Sequence, residues 1–181
     1  MEWVAGKSAL VLAGGGARAA YQVGVLQALR AMLPDPAANP FRIIAGTSAG
    51  AVNAAALACH ADDFSRAVEN LLDVWRNFEP RHVYRADFVG AAANSTRWLA
   101  GLLLGAFLRD RRMSLLDNRP LAALLARRVE FGRIAGNIAS GALDAVAITC
   151  SGYTSGQSVS FFEGAPHLEP CRIGLNDTFG I

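Results

Sequence analysis

Ser48 is the residue whose surroundings best suit nucleophilic chemistry. It sits in Gly46-Thr47-Ser48-Ala49-Gly50, a Gly-x-Ser-x-Gly pattern. A serine hydroxyl attacks an ester carbonyl when a base takes its proton, donors hold the oxyanion and a pocket holds the acyl chain. The apolar run Phe41 to Ala45 ahead of it reads as a buried strand, and the alanine-rich run Ala49 to His60 behind it as a helix. Strand, sharp turn, helix is the context that a nucleophile elbow requires. Gly46 and Gly50 remove side chains that would collide where helix and strand cross. The serine oxygen is then held at a helix N-terminus, where unpaired N–H groups and the helix dipole favour negative charge. The plainer alternative is a small-residue turn that merely packs a helix on a sheet.

A second glycine loop supplies the donors. Ser8 to Ala13 is a short apolar run stopped by Gly14-Gly15-Gly16, the pattern of a central strand entering a loop. Backbone N–H groups there can converge on one anion, and the missing side chains let a substrate approach closely. Arg18 adds a positive charge at the same rim. The loop also fits a dinucleotide fingerprint, Gly14-x-Gly16-x-x-Ala19. That fingerprint expects an acidic residue at the end of the second strand, where this chain has Ala45-Gly46-Thr47-Ser48. The full phosphate-loop pattern, Gly-x-x-x-x-Gly-Lys-Ser/Thr, is absent.

The elements that must position these loops follow in order. Ala17 to Arg30 reads as a helix, closed by Pro34, Pro36 and Pro40 in the next loop. Asp62 to Phe78 reads as a third helix with Phe64, Val68, Leu71, Leu72 and Trp75 inward and Asp62 or Asp63 as its cap. Another helix is expected near Pro120, with Ser114 or Asp117 as its cap and Leu121, Leu124 and Leu125 inward. Ala142 to Cys150 reads as a third strand and Val159 to Glu163 as a fourth, a hairpin or neighbouring strands. Strands alternating with helices through tight glycine turns predict an α/β fold with a mainly parallel central sheet flanked by helices.

Composition narrows the function. The chain has 181 residues, 52% hydrophobic and 18% charged, which suits one domain with a sizeable core. A net charge of +2 is too small for a nucleic-acid surface. Cys59, Cys150 and Cys171 are scattered, which favours a reducing, cytoplasmic setting over a disulfide framework. His60, His82 and His167 show no metal-ligand spacing, so neither metal nor cofactor is expected. Lys7 and Ser8 to Ala13 loosely mimic an export signal but dissolve into the glycines, and read as the first strand. Trp98 to Leu108 is about half the length that crosses a bilayer. With Arg97, Arg109, Arg111 and Arg112 around it, it reads either as a buried helix with a basic end or as a peripheral contact with anionic lipid.

Gly14-Gly15-Gly16-Ala17-Arg18-Ala19, Tyr21-Gln22-Val23-Gly24-Val25-Leu26 and Gly46-Thr47-Ser48-Ala49-Gly50-Ala51, in that order, resemble the patatin-like phospholipase family. Ser114 to Leu121 is similar to a further family segment. The resemblance runs from about residue 7 to about residue 163 and implies a three-layer α/β/α domain over 1–181. It implies a serine lipid acyl hydrolase in which Ser48 attacks the ester, Gly14, Gly15, Gly16 and Arg18 hold the oxyanion, and an aspartate serves as base without a histidine. Ala19 departs mildly from the family's usual glycine. The larger departure is late in the chain: the family places its aspartate in an Asp-Gly motif, and no Asp-Gly dipeptide occurs here. The expectation is a domain truncated or divergent after about residue 163, with Asp177 the only late aspartate and in unlike surroundings. A triad of Ser48, Asp144 and His167 would have the right chain order, but neither partner lies in a recognisable motif. His60 and His82 read as surface residues. Losing the base from such a unit costs on the order of 10⁴ to 10⁶ in kcat, so weak or absent ester hydrolysis is expected. The other readings are a serine acyltransferase, a non-catalytic membrane-associating module and, more remotely, a nucleotide-binding protein.

Overall fold

The computed structural model describes residues 8–77, 119–152, 156–168 and 177–180. They belong to two compact units, residues 1–77 with 129–181, and residues 78–128. In the first unit the strands β1 (Ala9–Leu12), β2 (Ile43–Thr47), β3 (Ala145–Ser151), β4 (Ser158–Gly164) and β5 (Asp177–Gly180) form one sheet in chain order. All neighbours are parallel except β3 and β4. Its helices are α1 (Ala19–Met32), α2 (Ala49–Cys59), α3 (Phe64–Arg76) and α5 (Arg133–Ala139). The helix α4 (Arg119–Arg128) belongs to the second unit and ends on Arg127 and Arg128, which suit its negative C-terminal dipole. Its Leu121, Leu124 and Leu125 are half-buried and Ala122 and Ala123 exposed, the expected pattern.

Topology decides which face of the sheet is covered. β1, β2 and β3 advance in one direction, so right-handed crossovers put both connections on the same face. Leu12, Ile44 and Val146 point to that face and are buried, whereas Val11 on the opposite face is 78% exposed and Ile43 is 40% exposed. Val23 and Leu26 of α1, Leu57 of α2 and Phe64, Val68 and Leu71 of α3 complete the core on the covered face. Each such side chain contributes about 1.5–3 kcal/mol by leaving water. Phe41 and Phe64 meet edge to face with centroids 6.0 Å apart, joining the approach to β2 with the start of α3.

The elements match the sequence reading with informative shifts. β2 starts at Ile43, because Phe41 is spent on Phe64, and continues through Gly46 and Thr47 to the elbow. A 3₁₀ turn, Gly16–Arg18, precedes α1, which reaches Met32. Asp63 caps α3, its carboxylate accepting from the Arg66 N–H at 3.0 Å. β3 and β4 form the hairpin. Two elements were not expected. α5 carries Gly136 and Asn137, poor helix formers, and is held by tertiary contacts: Ile134 is fully buried and Asn137 donates to the Ala58 carbonyl at 2.8 Å. β5 is a short strand parallel to β4. The expected helix Trp98 to Leu108 lies outside the described residues.

The tightest packing is where α2 leaves β2. A methyl group on Gly50 would overlap the Leu12 carbonyl and lie 2.6 Å from the Ala13 oxygen. One on Gly46 would overlap the Gly50 carbonyl and lie 2.7 Å from the Ala54 methyl. Both obstacles include backbone, which cannot swing aside. Gly50→Ala is therefore expected to cost about 3 kcal/mol, the upper end for an overpacked core, lowering Tm by roughly 6–12 °C in a domain of this size. Calorimetry beside Gly24→Ala, where a methyl would meet nothing within 4 Å, checks this.

Candidate active site

Ser48 occupies the one-residue turn between β2 and α2. Its backbone has φ 55° and ψ −121°, and among the described residues it is the one non-glycine residue with positive φ. Such a conformation costs about 1–3 kcal/mol and persists only where surrounding structure imposes it. Three contacts impose it. The Ser48 N–H donates to the Thr149 carbonyl at 3.0 Å, extending the β2–β3 ladder to the elbow. The Ser48 carbonyl accepts from Ala51 at 2.9 Å and opens α2. Gly50 packs onto the end of β1. The side chain is exposed and does not cap its own helix. Among the described residues nothing hydrogen-bonds its hydroxyl, which sits at the positive end of α2.

The glycine loop lies against this turn. A methyl on Gly14 would be 3.2 Å from the Ser48 β-carbon and 3.3 Å from the Thr47 oxygen. Gly16 has φ +56° and Gly15 φ 165° at the entry to the 3₁₀ turn. Gly14, Gly15, Gly16 and Arg18 are all exposed, and Arg18 is the last residue of the turn. The structure thus brings the loop and the serine together. It also puts an elbow, not an acidic residue, at the end of β2, which leaves the dinucleotide fingerprint without its ribose contact.

The other carboxylates and histidines are elsewhere. Asp144 precedes β3 and is paired with Arg42, whose Nε donates to Oδ2 at 3.1 Å. This pair clamps the end of the sheet opposite Ser48, about 20 Å along the strands. His167 follows β4 and is exposed at that same far end. A triad of Ser48, Asp144 and His167 cannot form. Asp177 starts β5 beside Val159, which pairs with Cys150, next to the residue that holds the Ser48 N–H. It shares the elbow's end of the sheet but sits three strand spacings away, about 14 Å. His82 and Cys171 lie outside the described residues. Cys59 is buried and its thiol pushed up to about 11 by desolvation, and burial also raises Cys150, so neither is held as a thiolate nucleophile. Among the described residues no group of His, Cys, Asp or Glu converges as a metal site.

Sequence reading missed a polar chain behind the loop, centred on the buried Asn53. Gln22 donates from Nε2 to the Ala13 carbonyl at 2.7 Å. Asn53, fully buried in α2, donates to Gln22 Oε1 at 3.0 Å and to the Ala19 carbonyl at 3.1 Å. Trp75 of α3 donates to Asn53 Oδ1 at 2.8 Å. An asparagine in an otherwise apolar alanine-rich helix was the available signal, since a buried amide must find partners.

A family model described as patatin-like phospholipase matches residues 10–163. The chain belongs to the patatin-like phospholipase family. Membership places it among the lipid acyl hydrolases in general. No curated protein and no solved structure matches the chain. In this patatin-like chain no described helix is long and apolar enough to cross a membrane.

The opposite end of α2 corrects one expectation. His60 is buried, not a surface residue. Its Nδ1 lies 3.1 Å from Arg133 Nη1, so it accepts, and Arg133 also holds the Asp62 carboxylate at 2.7 and 2.9 Å. Desolvation first, then the charges of Arg133 and Arg66, lowers the His60 pKa from its ordinary 6.5. A lowered folded pKa means stability that is complete above pH 6.5 and lost as pH falls through the folded value. Thermal melts between pH 7 and pH 5 should show this loss, and His60→Gln should flatten the profile over that window.

Proposed function

We propose that this chain carries the nucleophile and oxyanion loop of a serine lipid acyl hydrolase acting on phospholipid or acylglycerol esters. The observation that carries this reading is the strained, exposed Ser48 turn with Gly14 packed against it. Ser48 Oγ would attack the ester carbonyl as its proton leaves to a base. The carbonyl oxygen would take up the negative charge, facing N–H groups of Gly14–Gly16 and the start of α2, with Arg18 adding positive charge. Collapse of that intermediate would release the alcohol and leave an acyl ester on Ser48, which water would hydrolyse.

Among the described residues no side chain hydrogen-bonds the Ser48 hydroxyl, so the base is not assigned. By family resemblance it is an aspartate. The apolar and arginine-flanked run Trp98 to Arg112 supports peripheral contact with a lipid surface, and the scattered cysteines support a cytoplasmic setting. A carrier-linked acyltransferase would use the same elbow, and transfer to a carrier in place of water distinguishes it.

Fatty-acid release from mixed phospholipid vesicles and from a p-nitrophenyl fatty ester tests the reading. Release is expected to be slow but to depend on Ser48, falling to buffer background in Ser48→Ala. Equal release by the two proteins would overturn it.

A further inference from the structure

The polar chain behind the glycine loop has a direction, and that direction reaches the loop. An indole N–H donates and cannot accept. Trp75 therefore fixes Asn53 Oδ1 toward itself, at 2.8 Å. That leaves Asn53 Nδ2 to donate to Gln22 Oε1 and the Ala19 carbonyl. With its oxygen so engaged, Gln22 presents Nε2 to the Ala13 carbonyl at 2.7 Å. One donor-only group on α3 thus sets the orientation of two amides and of a backbone carbonyl more than sixty residues earlier in the chain.

That carbonyl belongs to the peptide joining Ala13 to Gly14. It faces the junction of α1 and α2, and its oxygen is among the atoms a methyl on Gly50 would meet. In a trans peptide the N–H points opposite to the C=O. The Gly14 N–H is consequently turned away from that junction, and Gly14 itself lies beside Ser48. The lock matters because three successive glycines rotate cheaply. A flipped Ala13–Gly14 peptide would aim a carbonyl, not an N–H, at a developing oxyanion.

We propose that Gln22 and Asn53, oriented by Trp75, are positioning residues that hold the Gly14 N–H toward the oxyanion. This rests on reading Gly14–Gly16 as the oxyanion loop. None of the three touches substrate; they act through the Ala13–Gly14 peptide.

The full chain, isotope-labelled, gives a readout independent of turnover: the Gly14 N–H residual dipolar coupling in parent and Gln22→Met. A second readout is the rate of phosphonylation by an alkyl fluorophosphonate, split into its maximal rate and half-saturating concentration. Gln22→Met should shift the Gly14 coupling and slow the maximal rate by ~10-fold or more, as donors aimed at an oxyanion are worth 10²–10³. The half-saturating concentration should stay within twofold. A structural role alone would lower Tm without this split. Trp75→Phe keeps an aromatic ring and removes the donor, and it gives the same shifts should Gln22→Met fail to fold. An unchanged Gly14 coupling, or a rate within twofold of the parent, overturns the proposal. A parent that never reacts sinks the nucleophile reading instead, and the coupling still decides whether Gln22 orients the peptide.

Discussion

The close crossing of α2 over the ends of β1 and β2 is the constraint on which the rest depends. Gly46 and Gly50 let helix and strand backbones touch, and no larger residue fits without moving main chain. Because the crossing is so tight, the chain has a single residue in which to turn from strand to helix. That residue is Ser48, and its positive φ follows from the lack of room. The same contact draws the end of β1 beneath the helix start, so the loop after β1 emerges next to the serine. Ser48, the helix dipole and the glycine loop are thus brought together by one packing event.

The two ends of α2 solve different electrostatic problems. At the N-terminus free N–H groups accumulate and the surroundings are exposed, which suits a charge that appears transiently. At the C-terminus a neutral buried His60 accepts from Arg133, while Asp62 balances the guanidinium. The helix that presents Ser48 is therefore anchored at its far end by α5, through Arg133 and through Asn137 on the Ala58 carbonyl. The Arg42–Asp144 pair ties the starts of β2 and β3 in a comparable way. These ionic groups sit away from the serine and fix the framework.

The loops were legible in the sequence because their chemistry is local. Gly-x-Ser-x-Gly between an apolar run and an alanine-rich run carries its geometry within a few residues, as does the triple glycine after Ala13. The α/β class followed from the same alternation. What escaped was set by distant contacts. α5 forms despite Gly136 and Asn137 because Ala58 and the core receive it, and β5 forms because β4 offers an edge. The burial of His60 depends on Arg133, seventy-three residues away. Gln22 reads as an ordinary exposed polar residue on α1 until Asn53 and Trp75 are placed beside it. The exclusion of Asp144 and His167 required knowing which end of the sheet each occupies, and chain order carries no such information.

The most direct measurement is labelling of the chain with a fluorophosphonate probe, followed by peptide mapping, beside Ser48→Ala. A serine at a helix N-terminus with the proposed oxyanion loop against it should take up one equivalent at Ser48, slowly, and none in the variant. A folded chain that stays unlabelled, or that is labelled equally well after Ser48→Ala, would contradict the assignment of Ser48 as the nucleophile.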